Sequence, residues 1–361
     1  MKNLSRILIA IVVMLIMLGS SVIYNAKGIN YFFSHLEKVL LAVIVFVFFA
    51  LIPYKYYRKI SKYLLVGIIA ILFLTFIFAP SVKGAARWIN LGVIKFQPSE
   101  FAKIILLMHL SVLIEQKGEI IKDFKNGLRY MLFWIGAVVL LIFLQPNVST
   151  TIIIALTSFV LLFVGGARIF HLGSIVASLL LIGGSAAMSL HHSRVRILTF
   201  IHSITKGGYI NLQVLQSKIA LGSGGLLGLG LGHSRQVDLF LPESHNDFIF
   251  SVLGEELGFF GALIILLAYL SIFIVGLLIA KRAKDDLGQL LAFGISFTIV
   301  FSAFIHVAVG VGLIPTTGIT LPFISFGGTS IIIFSISIGI LINIARYAQK
   351  HQEHRRARAR A

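Results

Sequence analysis

The sequence predicts an all-α polytopic membrane protein with about ten transmembrane helices and a large extracytoplasmic loop between helices 7 and 8. Three observations predict it. The 361 residues are 58% hydrophobic and 12% charged, with a mean hydropathy of +0.99, far too apolar for a soluble domain. The apolar runs reach the ~20 residues that a helix needs to cross a bilayer. Lys and Arg are unevenly shared between the connections, as the positive-inside rule requires. The absence of Cys excludes a disulfide framework and thiolate metal sites but does not identify the compartment.

Taken in order, the expected spans lie near 6 to 24, 37 to 54, 60 to 80, 98 to 115, 128 to 146, 148 to 165, 171 to 190, 248 to 281, 288 to 312 and 328 to 348. The first lacks a small-residue cleavage site and is followed by many similar runs, so it reads as a retained span rather than a signal peptide. The eighth is too long for one straight crossing. Gly258 and Gly261 offer a break into a short re-entrant piece and a crossing piece, and irregular backbone at that depth marks a site. The fourth begins Pro98-Ser-Glu-Phe-Ala-Lys103, with Pro early and Glu100 and Lys103 three apart on one face. That pair reads as an internal salt bridge, or as a relay of charge to a third group.

With the N-terminus cytoplasmic, the inner segments hold about 20 of the 31 Lys and Arg and the outer ones about 10, which places both termini inside. The net charge of +18 therefore needs no nucleic acid. The basic tail, 346–361, reads as an anchor at anionic head groups. The chain reads as one integral membrane domain, 1–361, in which 191–247 is the large loop.

The exceptions to the charge rule carry more information. Lys83, Arg87 and Lys95 lie in one outer connection, and Arg194, Arg196, Lys206, Lys218 and Arg235 in the large loop. Head-group contacts account for some of them. Their clustering favours a pyrophosphate or carboxylate ligand, since Arg forks and Lys charges suit phosphate oxygens. The glycine-rich run Gly222 to Gly232 is dense enough to bind oxyanions, yet it lacks the Lys-Ser/Thr of a Walker A loop, and a closely packed loop explains it as well.

Five of the 13 acids, Asp238, Glu243, Asp247, Glu255 and Glu256, fall in the stretch 238–256. Asp247 stands where the outer loop meets the eighth span. It can cap that helix, or act as a general base beside the cations. Glu255 and Glu256 lie deeper, where a charge costs about 2.5 kcal/mol or more unless paired, protonated or facing water. Glu243 can contact ligand or solvate the loop.

Five ordered motifs add a resemblance. Lys83-Gly-Ala-Ala-Arg-Trp-Ile-Asn-Leu-Gly92, Phe96-Gln-Pro-Ser-Glu-Phe-Ala-Lys103, Gln216-Ser-Lys-Ile-Ala-Leu-Gly-Ser-Gly-Gly225, Leu241-Pro-Glu-Ser-His-Asn-Asp-Phe-Ile-Phe250 and Leu321-Pro-Phe-Ile-Ser-Phe-Gly-Gly-Thr-Ser330 resemble signatures of the SEDS family of bacterial cell-wall glycosyltransferases. Gly228 to Gln236, followed closely by Leu241-Pro-Glu, resembles the division-type FtsW branch more than the elongation-type RodA branch. One departure is Asn147 in Gln145-Pro-Asn-Val-Ser-Thr150, where the family usually has Asp.

The resemblance implies polymerisation of lipid II with loss of undecaprenyl pyrophosphate. It implies Asp247 as general base, Glu100 and Lys103 as groups that orient or tune it, and Arg87, Arg194, Arg196 and Lys218 as pyrophosphate contacts. Trp88 would shape a sugar or lipid surface, and Glu243 and His245 would line the substrate site. A divalent cation, Mg²⁺ or Mn²⁺, could assist the leaving group, but no ligand cluster is visible and no metal site is assigned. The implied partners are lipid II, a class B penicillin-binding transpeptidase and other division proteins, and the implied place is the bacterial cytoplasmic membrane at the septum. An elongation-type polymerase, a lipid II flippase and a division scaffold are the rival readings.

Overall fold

The computed structural model describes residues 1–78, 87–90, 95–205, 211–236 and 245–358. Among them the helices run in order as α1 (Lys2–Lys27), α2 (Ile29–Leu51), α3 (Tyr57–Phe78), α4 (Pro98–Lys117), α5 (Arg129–Leu144) and α6 (Val148–Val164), then α7 (Ile169–Ser189), α8 (His191–Thr205), α9 (Leu212–Ser223), α10 (Ile249–Arg282), α11 (Asp286–Gly310) and α12 (Gly328–Arg358). Extended pairing among the described residues is confined to two short strands, β1 (Ile89–Asn90) and β2 (Lys95–Phe96), antiparallel with Ile89 opposite Phe96.

Eight of these helices, α1, α2, α3, α5, α7, α10, α11 and α12, are long and apolar enough to cross a bilayer. Two of the ten expected spans fall short of that standard. The 20-residue α4 carries Glu100, Lys103, Glu115 and Lys117, and α6 has only 17 residues. Both still pack inside the bundle, where charge on α4 meets protein instead of lipid. The stretch 191–247, read from sequence as a loop, contains α8 and α9, so His191 and His202 are helical. The last helix runs on to Arg358, ten residues past the expected end at 348, and Arg346 donates to the Ala50 carbonyl (3.4 Å) instead of belonging to a detached tail.

The apolar part of α12 is almost wholly buried, and it forms the axis around which α2, the α10–α11 pair and the α3–α4 pair assemble. By contrast α2, α3 and α7 present Phe33, Leu40, Phe48, Phe78 and Leu180 outward. Exposing so much apolar surface to water costs ~25 cal/mol per Å², so this face is built for hydrocarbon. The first helix buries Leu8, Leu15, Val22 and Ile23 against its neighbours and is an integral part of the bundle.

Two features fix the ends of this bundle. At one end Arg58 on α3 donates to Glu115 on α4 through Nε (2.7 Å) and Nη2 (2.6 Å), and to Asp285 through Nη2 (2.8 Å). Asp285 also accepts from the Tyr54 hydroxyl (2.9 Å) and caps α11 by accepting from Gly288 N (3.0 Å). At the other end α10 breaks at Gly258, whose φ of 68° and ψ of −170° are non-helical. The glycine-rich turn after α9 closes on this break. Leu229 N and Gly230 N donate to the carbonyls of Glu255 and Glu256 (both 3.0 Å), and Phe259 N and Phe260 N donate back to Gly225 and Leu226 (2.9 and 3.3 Å). The backbone groups freed by the break are thus satisfied within the protein. Of the two readings of the glycine run, close packing is the one its backbone takes.

Candidate active site

Asp247 lies in a turn, 245–248, at the end of the bundle where α10 begins. The helix-capping reading is displaced by one position, because the cap residue of α10 is Phe248. The turn is held by the segment that precedes α12. Phe326 N donates to the His245 carbonyl (3.0 Å) and Ser325 Oγ to the Asn246 carbonyl (2.9 Å). The Phe326 ring meets the His245 ring edge-on at 5.8 Å, and Lys38 Nζ stands 3.8 Å over the same phenyl ring. His245 therefore acts as part of the frame of the Asp247 turn.

The chain that follows α11 brings distant residues to this turn. At Gly312 the side chain of Lys218 lies so close that a Cβ would stand 2.4 Å from Lys218 Cε. At Thr316 the carbonyl accepts from Arg196 Nη1 (3.4 Å). At Gly318 a Cβ would stand 3.6 Å from Asp247 Oδ2. A cleft of about 70 Å³ lies between Arg196, Lys218, Asn211, Ile314, Pro315 and Thr316. The segment is anchored by His306 Nδ1 to the Ile319 carbonyl (2.7 Å). Ser217 bridges α9 to α10 and α11, through Ser251 Oγ (2.5 Å) and the Gly310 carbonyl (2.7 Å), which fixes the position of Lys218.

Arg87 reaches the same region from the α3–α4 connection. Its guanidinium donates to the carbonyls of Gln145 (3.2 Å) and Pro146. Burial pushes its pKa down to about 10, and the nearby charge of Arg196 adds to the shift. Arg87 therefore stays cationic at neutral pH in a place that disfavours two like charges, a setting that an anion relieves. Trp88, next in the chain, is 39% exposed beside the β1–β2 pair. Arg194 is exposed on α8, two positions from Arg196 and so on a different side of that helix.

Glu100 and Lys103 form the expected ion pair at 3.0 Å, nearly buried, with Lys103 Nζ 5.5 Å from the centroid of the Phe334 ring. The start of α4 abuts the start of α12, since Gln97 N donates to Thr329 Oγ1 (3.3 Å). Phe326, which holds the Asp247 turn, is three residues before Thr329, so the ion pair and Asp247 are attached to one short piece of chain. Asn147 is buried and its amide lies 3.4 Å from Ser99 Oγ on α4. Glu243, with Asp238, Lys83 and Lys206, lies outside the described residues, as does the side chain of Lys95.

Glu255 is fully buried and accepts from Ser223 Oγ (3.2 Å), Ser234 Oγ, Arg235 N (3.2 Å) and Gln236 N (3.4 Å). It ties the turn after the glycines to the broken helix, which is a structural task. Glu256 is buried beside it. Among the described residues no group of three or more His, Asp or Glu side chains is placed to hold a metal ion, so the divalent cation considered from the sequence finds no protein ligand set there.

Sequence reasoning passed over Gly312, Thr316 and Gly318. Their signal was the density of turn residues, Gly312, Pro315 and Gly318, between two apolar spans.

Comparison with known proteins places the chain. Its fold matches a chain of a peptidoglycan synthase complex described for the structural coordination of polymerization and crosslinking, with a TM-score of 0.80 at 23% identity over 94% of this chain and 97% of that one. It also matches the rod shape-determining protein RodA of Thermus thermophilus, with a TM-score of 0.71 at 23% identity over 94% and 95%. In sequence it is 36% identical to a probable peptidoglycan glycosyltransferase FtsW of Geobacter sulfurreducens over 296 residues, 81% of this chain and 79% of that one. It is 33% identical to stage V sporulation protein E of Bacillus subtilis over 359 residues, 95% and 97% of the two chains. A family model described as cell cycle protein matches residues 2–350, and with these relatives it shows that the chain belongs to the FtsW/RodA/SpoVE family of integral membrane proteins.

Proposed function

We propose that the chain is a peptidoglycan glycosyltransferase that polymerises lipid II into glycan strands for septal wall synthesis, releasing undecaprenyl pyrophosphate. Its relatives of 33–37% identity bear the FtsW and SpoVE names, which fits a division-type enzyme better than an elongation-type one. The observation that supports the chemistry is the meeting of Arg196, Lys218 and Asp247 on the segment 312–318, with Arg87 near Arg196.

In this reading Asp247 accepts the proton of the acceptor 4-hydroxyl as its oxygen attacks the anomeric carbon of the donor. The bond from that carbon to the pyrophosphate oxygen breaks with inversion, and Arg87, Arg196 and Lys218 take up the negative charge left on the pyrophosphate. Glu100 and Lys103 act as positioning residues through the 326–329 segment. Trp88, Glu243 and Arg194 line the approach of sugar or lipid. A cleft of about 70 Å³ admits no disaccharide, so α8 and the 312–318 segment part when the donor enters. The protein resides in the bacterial cytoplasmic membrane at the septum, with both termini cytoplasmic and the Asp247 end outside, and works with a class B transpeptidase and other division proteins.

The test is polymerisation of lipid II by the purified protein with its cognate transpeptidase. Asp247→Asn should fold and lose about 10²- to 10⁴-fold in rate, the range of a general base. Unchanged polymer yield in a folded variant would remove Asp247 from the role. A wild-type protein that forms no polymer yet moves labelled lipid across vesicles would make it a transporter.

A further inference from the structure

A second cleft lies at the end of the bundle remote from Asp247, between α3, α4 and α5, near the Arg58–Asp285 ion pair that follows the far end of α10. Its volume is about 750 Å³, ten times that of the cleft beside Asp247. Four cations line it and no acid does. Arg58 is neutralised by Glu115 and Asp285, whereas Lys59 and Lys62 have no acidic partner among the described residues, and Arg129 lies only against the Tyr130 ring. His109, on the wall of the cleft, is 97% buried. Its Nδ1 is engaged with Ser61 Oγ (3.2 Å), while its Nε2 has no hydrogen-bond partner in the protein. A buried ring nitrogen without a partner beside three uncompensated cations is arranged for an oxyanion.

We propose that this cleft binds the phosphate of an anionic phospholipid. The choice of a lipid over a soluble phosphate ester rests on the other wall. Phe133 and Tyr63 are 66% and 77% exposed, Trp134 packs beside Phe133 at 5.3 Å, and these rings continue onto the hydrocarbon-facing surface of α3 and α5. A head group held by Lys59, Lys62, Arg129 and His109 sends its acyl chains along them. The site lies at the end of the bundle opposite the proposed reaction, so it is independent of that reading.

The chain's two Trp residues make the test direct. The Trp88→Phe variant leaves Trp134, in the cleft, as the sole indole. It is reconstituted in zwitterionic vesicles doped with lipids brominated on the acyl chains, either phosphatidylglycerol or phosphatidylcholine. Trp134 emission should be quenched by the brominated phosphatidylglycerol at about tenfold lower mole fraction, because each local Lys or Arg adds to anionic-lipid affinity. Adding Lys59→Gln, Lys62→Gln and Arg129→Gln should abolish that preference, and Lys62→Gln alone should reduce it, with thermal unfolding in zwitterionic lipid unchanged. Deleting residues 354–361, the distal basic tail, should leave it intact. Equal quenching by the two lipids, a preference that survives the triple substitution, or one lost with the tail overturns the proposal. So does a preference abolished by millimolar glycerol phosphate, which would assign the cleft to a soluble phosphate.

Discussion

Gly228 and Gly258 meet backbone against backbone, so closely that a Cβ on Gly258 would stand 2.3 Å from the Gly228 amide nitrogen. A Cβ on Gly228 would stand 2.2 Å from the Glu256 carbonyl, and the two glycines have φ of 83° and 68°. Ala at either position adds ~1–2 kcal/mol for left-handed backbone to a clash that only backbone movement relieves. The expected cost is about 3–5 kcal/mol, in the range reserved for such specific faults. Thermal unfolding in detergent checks it against Gly136→Ala, on α5 with nothing within 4 Å of its added Cβ, which should be neutral or stabilising by about 0.5–1 kcal/mol.

Glu255→Gln replaces a carboxylate oxygen that faces only donors by an amide group that is itself a donor. With two hydroxyls and two backbone amides aimed at it, the variant should lose about 2–4 kcal/mol. Proteolysis between α9 and α10 should accelerate. A melting temperature equal to wild type would show that the Ser234 turn is not held by this carboxylate.

Arg196→Ala and Lys218→Ala should each slow polymerisation by about 10²-fold, as loss of one donor to a developing oxyanion does. Lys281→Ala and Arg282→Ala, exposed at the far end of α10 and away from the cleft, should change it less than threefold by the same reasoning. Arg58→Ala makes a poor comparison, because its ion pairs with Glu115 and Asp285 make it a stability variant. Equal losses in all four would separate the cations from the leaving group.

Arg87→Lys should convert a pH-independent step into a pH-dependent one. Burial lowers the Arg87 pKa to about 10, so the wild-type side chain is charged throughout pH 6–9. A lysine starts near 10.4, and a similar fall brings it to about 8. Burial disfavours the cation, so the variant loses charge as pH rises from 7 to 9 and its donor KM climbs, while the wild-type KM stays flat. Flat profiles for both would mean that this guanidinium is not facing the donor.

Local pattern carried much of this structure. The apolar runs marked every described helix except α8 and α9, Gly258 marked the break in α10, and the three-residue spacing of Glu100 and Lys103 marked their ion pair, because each depends on neighbours in the chain. The meeting point of the candidate site did not show itself. Arg196 reaches a backbone carbonyl 120 residues away, and a carbonyl has no side-chain signature. Arg58 likewise has no local signature of its role, because its partner Asp285 lies 227 residues on. The acids at 255 and 256 attracted attention as charge, whereas for Glu255 the deciding fact was the four donors that fold back around it.

The knot of Tyr54, Arg58, Glu115 and Asp285 gives the bundle a pivot. It rivets α3, α4 and the start of α11 at one end of the bundle, so any separation of these helices would be a fanning apart at the other. That opposite end carries Arg87 at one margin and the 312–318 segment at the next, and in the proposed reading a bulky lipid-linked sugar would enter by spreading the two. Loosening the rivet would then let the fan stand open without a load, and the defect would be felt a full membrane thickness away from the residue that was changed.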